Sequence, residues 1–206
     1  MPLSILTAHG LLIFIGAELL WSLTPGPTVM QISAYGFKGG FRDALAAIAG
    51  TQTGNTLWYV ICVTGLGAAL TASPLVFHLI KLAGAAYLIW LGLSALWKSR
   101  HAHAEATGPR LRGKPYLQAM LTQMGNPKAL LFFVMLVPQF LDTSAPLVPQ
   151  FSIMFAVTLI GESFILTGYG ALAAYGGHKA APHHAVWRER ISGLVLLALG
   201  VMAALA

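Results

Sequence analysis

Three ionisable side chains lie deep inside apolar stretches of the sequence: Glu18, Lys128 and Glu162. A charged side chain at the middle of a membrane costs about 2.5–3.5 kcal/mol on insertion scales, so such residues generally serve a function or pair with one another. Glu18 and Glu162 could hold an ammonium group or a transported proton. Alternatively, Glu18 could satisfy backbone N–H groups, and Glu162 could be a buried partner of Lys128. Lys128 could bind a substrate carboxylate, pair with a glutamate, or extend toward the membrane surface.

Two helix-breaking sequences lie close to these charges. Proline removes a backbone donor and clashes with the preceding turn, so each sequence stops a helix. Broken backbone at membrane depth must be buried in protein or line a wet cavity, because hydrocarbon cannot satisfy its polar groups. Two broken spans in corresponding halves of a chain indicate the substrate site of a transporter. The predicted site residues in the breaks are Pro25, Gly26, Pro27, Asn126 and Pro127.

Local rules orient several residues of the predicted site. Asn126 is a good N-cap and Pro127 suits a first helical turn, so a helix is predicted to begin there. A lysine in that turn opposes the positive end of the helix dipole, so Lys128 is expected to turn away from it. Tyr169 follows Glu162 by seven residues, which places both on nearly the same helix face.

Amide and hydroxyl side chains near the breaks complete the predicted site. They could line a cavity, or they could join helices through hydrogen bonds worth about 0.6 kcal/mol on average. The sequence leaves both roles open. These residues are Thr28, Gln31, Gln52, Asn55 and Gln123.

Composition places the chain in a membrane. Hydrophobic residues make up 57% and charged residues 9%, whereas soluble domains contain roughly 25% charged residues. Six apolar segments contain about 20 residues or more, enough to cross a hydrocarbon layer about 30 Å thick. We therefore predict an all-α integral membrane protein with six transmembrane helices. The predicted spans cover residues 3–35, 44–70, 75–97, 116–141, 148–175 and 187–204.

Basic residues are distributed unevenly between the connectors of these spans. Ten of the twelve Lys and Arg residues lie in the first, third and fifth connectors, and none lies in the second or fourth. Cytoplasmic loops carry the excess of basic residues, so both termini are predicted to lie outside the cytoplasm. The net charge of +6 therefore indicates membrane topology, and nucleic-acid binding is not predicted.

A polar connector at residues 98–114 divides the single predicted transporter domain, residues 1–206, into two halves. Repeat one covers residues 1–97 and repeat two covers residues 115–206. Each repeat contains three predicted spans and begins with a broken one, so the first and fourth helices are the broken helices. An odd number of spans gives the two repeats opposite orientations, which predicts an inverted repeat.

Other kinds of chemistry find little support in the sequence. No P-loop or nucleophile–base motif is present, so we predict no enzyme, no catalytic residue and no cofactor. Several histidines could bind a divalent ion weakly, but no cysteine or carboxylate cluster accompanies them, so no metal site is predicted. These histidines are His101, His103, His178, His183 and His184.

Five motifs are distributed over nearly the whole chain: Leu23–Pro27, Lys81–Gly92, Asn126–Phe133, Pro138–Phe140 and Glu162 with Gly168–Tyr169. Together they resemble motifs of the LysE/RhtB amino-acid exporters. The resemblance implies export of an amino acid or a related compound across the bacterial cytoplasmic (inner) membrane, driven by the proton gradient. It also implies a multi-pass protein and a homo-oligomer such as a homodimer, and the chain length is similar to the homoserine/threonine-exporting branch.

The leading hypothesis is a proton-coupled exporter of a small neutral amino acid. Backbone N–H groups after the two breaks would take the substrate carboxylate, and Glu18 or Glu162 would take its ammonium group. Two carboxylates and one lysine leave a net negative charge in low dielectric, so one glutamate is expected to carry a proton. We favour Glu162, because it is nearest the middle of its span, with Lys128 paired to the other glutamate.

Two alternatives remain open at this stage. A divalent metal-ion exporter of a related family would need carboxylates or histidines near the breaks, and only the two glutamates qualify. A membrane scaffold without transport activity would have no need of broken helices.

Overall fold

A computed structural model of the chain describes residues 4–24, 26–72 and 114–176, and isolated helical positions between 75 and 97 and between 194 and 201. For residues 66–72 it describes the backbone alone. Every element within the described residues is a helix, which confirms the predicted all-α class. Outside the described residues lie Pro25, the Lys81–Gly92 motif apart from a few single positions, most of the third and sixth predicted spans, residues 98–113 of the connector and the histidines considered as metal ligands.

The first broken span consists of helix α1 (Ala8–Leu23) and the first part of helix α2 (Pro27–Ala72). Thr7 is the N-cap of α1, because its side-chain oxygen accepts a hydrogen bond from the Gly10 N–H at 3.0 Å. The helix ends at Thr24, whose φ of −68° and ψ of 120° are extended. A residue before proline avoids the helical region, which explains this end. The two segments are bent by 56° at the break.

Helix α2 contains a second interruption at Gly40, with φ of 77° and ψ of −178°. A positive φ is easily reached by glycine and strained for other residues. Gly40 lies between Lys38 and Arg42, inside the connector predicted between the first and second spans. The backbone of α2 is therefore interrupted inside the connector that the sequence analysis places between the first two spans.

The second broken span starts with helix α3 (Pro115–Met124) and continues with the short helix α4 (Pro127–Leu131). A π-helical turn at Phe132–Leu136 and a 3-10 turn at Val137–Phe140 follow. Asn126 is the N-cap of α4, since its side-chain oxygen accepts from the Lys128 N–H at 3.0 Å. This confirms the predicted helix start, and the bend at the break is 50°.

Helix α5 (Leu147–Tyr175) is long and apolar enough to cross a membrane by itself. Within the described ranges, each of the two bent helix pairs also meets this criterion when it is taken as one span. The fully buried Gln150 amide binds the turn that precedes α5, accepting from the Asp142 N–H at 2.8 Å and donating to the Asp142 carbonyl at 2.9 Å. In that exposed turn, hydrogen bonds from Ser144 hold the pKa of the Asp142 carboxyl below its usual value.

Helix α2 packs against α3 and α5 at positions where glycine allows close approach. A Cβ atom on Gly50 would lie 2.0 Å from the Tyr116 carbonyl oxygen, and one on Gly54 would lie 2.9 Å from Gln123 Cβ. Small residues of this kind let membrane helices touch through their backbones. Gly50 and Gly54 therefore form a close helix contact with α3.

Replacing Gly50 with alanine should destabilise the protein, because the added methyl group meets backbone atoms that cannot rotate away. Overpacking of this kind costs about 1–3 kcal/mol, measurable as a lower midpoint of thermal unfolding in detergent. Gly65 on the same helix is the matched control, since a Cβ there would meet nothing within 4 Å. A midpoint for Gly50→Ala equal to that of Gly65→Ala would show that α2 and α3 do not pack this closely.

An aromatic core lies between the start of the first broken span and the end of the second. Phe14 packs edge-on against Phe140 with ring centroids 5.0 Å apart, and Tyr59 packs against Phe133 at 4.9 Å. The N-terminal segment joins this core, because the Ile5 N–H donates to the Phe140 carbonyl at 2.9 Å. The start of the first broken span thus lies beside the end of the second, as expected for antiparallel spans.

Candidate functional site

Two small cavities lie where the breaks meet, and they share the lining residues Trp21, Gln123, Ala129 and Glu162. Each has a volume of about 20 Å³, and a single water needs about 10–15 Å³ measured in this way. An amino acid would therefore require the helices to move apart. The predicted site residues that line these cavities are Glu18, Gly26, Thr28, Asn55, Gln123, Asn126, Lys128 and Glu162.

Four buried polar side chains connect the two breaks. Thr28, at the start of α2, donates to Gln123 Oε1 at 2.6 Å across a separation of 95 residues. Asn126 Nδ2 contacts Thr28 Oγ1 at 3.1 Å and Gln123 Oε1 at 3.4 Å. Gln123 Nε2 in turn donates to Asn55 Oδ1 at 2.6 Å. The first break, the second break and the middle of α2 therefore form one hydrogen-bonded unit.

Glu162 ends this network on helix α5. Its Oε2 accepts a hydrogen bond from Asn55 Nδ2 and a longer one, 3.4 Å, from Gln52 Nε2. Asn55 Nδ2 also contacts Gln52 Oε1 at 3.0 Å. The predicted residues Gln52 and Asn55 thus both bind the Glu162 carboxylate, and Asn55 alone of the two lines a cavity.

Glu18 has different surroundings, although it lines the same cavity as Glu162. It is 2% exposed, and its two carboxylate oxygens contact hydroxyl groups. Ser22 Oγ donates to Oε1 at 2.8 Å, and Thr158 Oγ1 lies 3.4 Å from Oε2. Thr158 in turn contacts the Tyr59 hydroxyl at 2.9 Å.

Lys128 reaches across to the end of α1. Its ammonium group donates to the carbonyl oxygens of Trp21 and Thr24, both at 2.7 Å, and lies 5.5 Å from the centre of the Trp21 ring. These carbonyls form the negative end of the α1 dipole, where a cation is stabilised. The expectation that Lys128 turns away from its own helix start is correct, but the predicted ion pair with a glutamate is not formed in the described part of the chain.

Tyr169 lies outside the cavities. Its hydroxyl donates to the Leu23 carbonyl at 3.0 Å, so it binds another carbonyl at the end of α1. Gln31 also stands apart from the network, and within the described residues its buried Oε1 has no hydrogen-bond partner. Pro27 and Pro127 serve as first residues of α2 and α4.

Sequence reasoning missed the hydroxyl groups that surround Glu18. Ser22 follows Glu18 by four residues, and Thr158 precedes Glu162 by four. Side chains four apart share a helix face, so this spacing could have identified Ser22 as a partner of Glu18 and placed Thr158 on the same face of α5 as Glu162. No comparable signal pointed to Tyr59, which reaches the site through tertiary packing.

Comparison with known proteins gives consistent matches. The family model for LysE type translocators matches residues 19–206. A homoserine/homoserine lactone efflux protein of Salmonella typhimurium is 36% identical over 157 residues, 75% of each chain. An uncharacterized membrane protein of Vibrio cholerae is 33% identical over 201 residues, 96% of this chain and 98% of that protein.

A leucine efflux protein of Enterobacter is 29% identical over 149 residues, 71% of each chain. No solved structure matches the chain. The family model covers most of the chain, including the residues that form the cavities from Trp21 onward. This chain is a multi-pass protein of the bacterial inner membrane that belongs to the LysE-type translocator family.

Proposed function

We propose that the protein exports a small neutral amino acid, or an amino-acid derivative, from the cytoplasm in exchange for protons. The observation that carries this proposal is that Lys128 and Glu162 line one cavity between two helix starts. A zwitterion needs a positive and a negative partner a short distance apart, and this cavity provides both. The relatives named for efflux of homoserine, homoserine lactone and leucine support an amino-acid substrate.

The substrate carboxylate is assigned to the side of the cavity formed by the helix starts. Thr28 and Val29 in the first turn of α2, and Ala129 in the first turn of α4, line the cavity. An α-helix leaves its first N–H groups without intrahelical partners, and its dipole favours an anion there. Lys128 adds a full positive charge on the same side.

The substrate ammonium group is assigned to the two glutamates. Glu162 lines both cavities and Glu18 lines the second one. An ammonium between two carboxylates satisfies three donors and offsets the repulsion between two negative charges. The side chain of the substrate would then face the aromatic residues Phe132 and Phe133, which line the second cavity.

Transport requires these small cavities to open alternately to the two sides of the membrane. We assign this movement to two inverted repeats, residues 1–97 and 115–206, joined by the connector 98–114. Six spans, a homodimer and cytoplasmic placement of the basic connectors complete the proposed organisation. Rocking of one repeat against the other about a fixed midplane site is the mechanism that such repeats support.

The proposal is tested by uptake into inverted membrane vesicles that contain the protein. Radiolabelled homoserine, leucine and other neutral amino acids form one panel, and divalent cations form the other. We expect uptake of at least one amino acid, stimulated when the vesicle interior is acidic. Uptake of a cation without any amino acid would replace the proposal with the metal-ion alternative.

The metal-ion alternative has weaker support. Within the described residues, no group of three or more His, Cys, Asp or Glu side chains is arranged to hold a metal ion. Hydrogen bonds from two amides also occupy Glu162. The names of the relatives likewise favour amino acids over metal ions.

A further inference from the structure

The orientation of the amide network is fixed at one end by a backbone group. The Lys128 N–H can only donate, and it donates to Asn126 Oδ1 at 3.0 Å. The Asn126 side chain must therefore present its NH₂ group to Gln123 Oε1, which in turn directs Gln123 Nε2 to Asn55 Oδ1. Asn55 is left with its NH₂ group facing Glu162.

The orientation of the N–H donors that face Glu162 is therefore fixed by hydrogen bonds farther along the amide network. Asn55 Nδ2 and Gln52 Nε2 both point to its Oε2. Donors that converge on one carboxylate oxygen favour the ionised form of the group. Replacing these N–H donors with acceptors, as a protonated Glu162 would need, would require several amides to rotate and would break the N-cap of α4.

Glu18 is subject to no such restriction. Its oxygens contact the hydroxyls of Ser22 and Thr158. The Thr158 hydroxyl also forms a hydrogen bond with the Tyr59 hydroxyl. A hydroxyl can donate to a carboxylate and, after rotation about its C–O bond, accept from a carboxylic acid. The surroundings of Glu18 therefore accommodate both protonation states without a change in packing.

We propose that Glu18 is the group that carries the exchanged proton, while Glu162 stays ionised throughout the cycle. This inference rests on the proposed proton-coupled export and reverses the assignment favoured by position in the sequence. Substrate entering from the cytoplasm places its ammonium group between the Glu162 carboxylate and the Glu18 carboxylic acid. The O–H bond of the Glu18 acid then breaks, its proton passes to cytoplasmic water, and after the substrate leaves outside, an external proton restores that bond.

The other titratable groups that face Glu18 are compatible with this exchange. Glu162 on α5 and Lys128 on α4 act on it electrostatically, with opposite signs. Tyr59 on α2 contacts it through Thr158, and Cys62, one turn further, donates to the Phe133 carbonyl at 3.2 Å. Because Lys128 binds carbonyls, neither glutamate is neutralised by a direct ion pair with it.

Infrared difference spectroscopy on the purified protein tests the proton assignment directly. Adding homoserine or leucine, whichever the wild-type protein transports, should remove the carbonyl-stretch band of a protonated carboxyl group. Glu18→Gln should abolish this change. Thr158→Val, which keeps the shape of the side chain but removes a hydroxyl from Glu18, should shift the band. A substrate-induced change that survives in Glu18→Gln and disappears in Glu162→Gln would overturn the proposal.

Transport by the same variants gives a second readout. The ratio of export with a pH gradient to export without one should fall to unity in Glu18→Gln, with some exchange of labelled for unlabelled substrate remaining. Glu162→Gln should lose both export and exchange, because it removes the permanent ligand of the ammonium group. Gradient-dependent export by Glu18→Gln would overturn the assignment, whereas failure of the wild-type protein to move any amino acid would overturn the proposed function itself.

Discussion

Replacing both Pro25 and Pro27 with alanine is expected to abolish amino-acid export while leaving the protein inserted in the membrane. Alanine is the best helix former and restores the missing N–H groups. The backbone could then continue from α1 into α2 without a break. Residue 25 would donate to the Trp21 carbonyl, and Thr28 would donate to the Thr24 carbonyl, following the i to i−4 pattern.

The expected loss has two physical causes. The N–H groups at the start of α2 would no longer be available to a substrate carboxylate. The same two carbonyls now bind the Lys128 ammonium group, so a continuous helix would also displace that side chain from its site. Both partners proposed for the carboxylate are therefore lost together.

The measurement is efflux from cells or proteoliposomes, with membrane insertion confirmed by fractionation. Pro149→Ala is a suitable control, since Pro149 lies exposed in the first turn of α5, where a missing N–H group is harmless. Export at the wild-type rate by the double variant would remove the break from the mechanism.

Lys128→Met is expected to reduce export by about 10- to 100-fold or more, since a hydrogen bond made by a charged group contributes about 1.5–3 kcal/mol. Methionine fills a similar volume but cannot donate to the Trp21 and Thr24 carbonyls. It also removes the one positive charge that faces the two glutamates in the described part of the site. Substrate binding should weaken, because nothing cationic remains for its carboxylate.

Calorimetric binding of the transported amino acid and efflux together check this prediction. Lys114→Met removes an exposed lysine at the N-cap of α3 and serves as the control for loss of positive charge. If the Lys128 variant bound substrate as tightly as the Lys114 variant, the ammonium group would be no more than a cap for α1.

Local features of the site could be predicted because they depend on neighbouring residues alone. Proline and glycine placed both breaks, and Asn126 with Pro127 placed the start of α4. Each of these rules needs only a few consecutive residues, and the structure agrees with them.

The remaining features depend on which helices pack against one another, and this packing cannot be inferred from a single sequence. Thr28 and Gln123 bind across 95 residues, and Lys128 binds carbonyls of a different span. An isolated sequence makes a glutamate the obvious partner of Lys128, because opposite charges attract. The structure places the carbonyls at the end of α1 closer to Lys128, and a helix end competes successfully with a carboxylate.

The small size of the two cavities has a consequence for the energy supply of the cell. Protons move readily along a continuous chain of water molecules. A carrier with a water-filled pore would therefore dissipate a proton gradient. Each cavity measures about 20 Å³, room for about one water molecule. Under the proposed proton exchange, cavities this small would keep protons from leaking through the described part of the site between transport events, and the gradient would be used only when cargo moves.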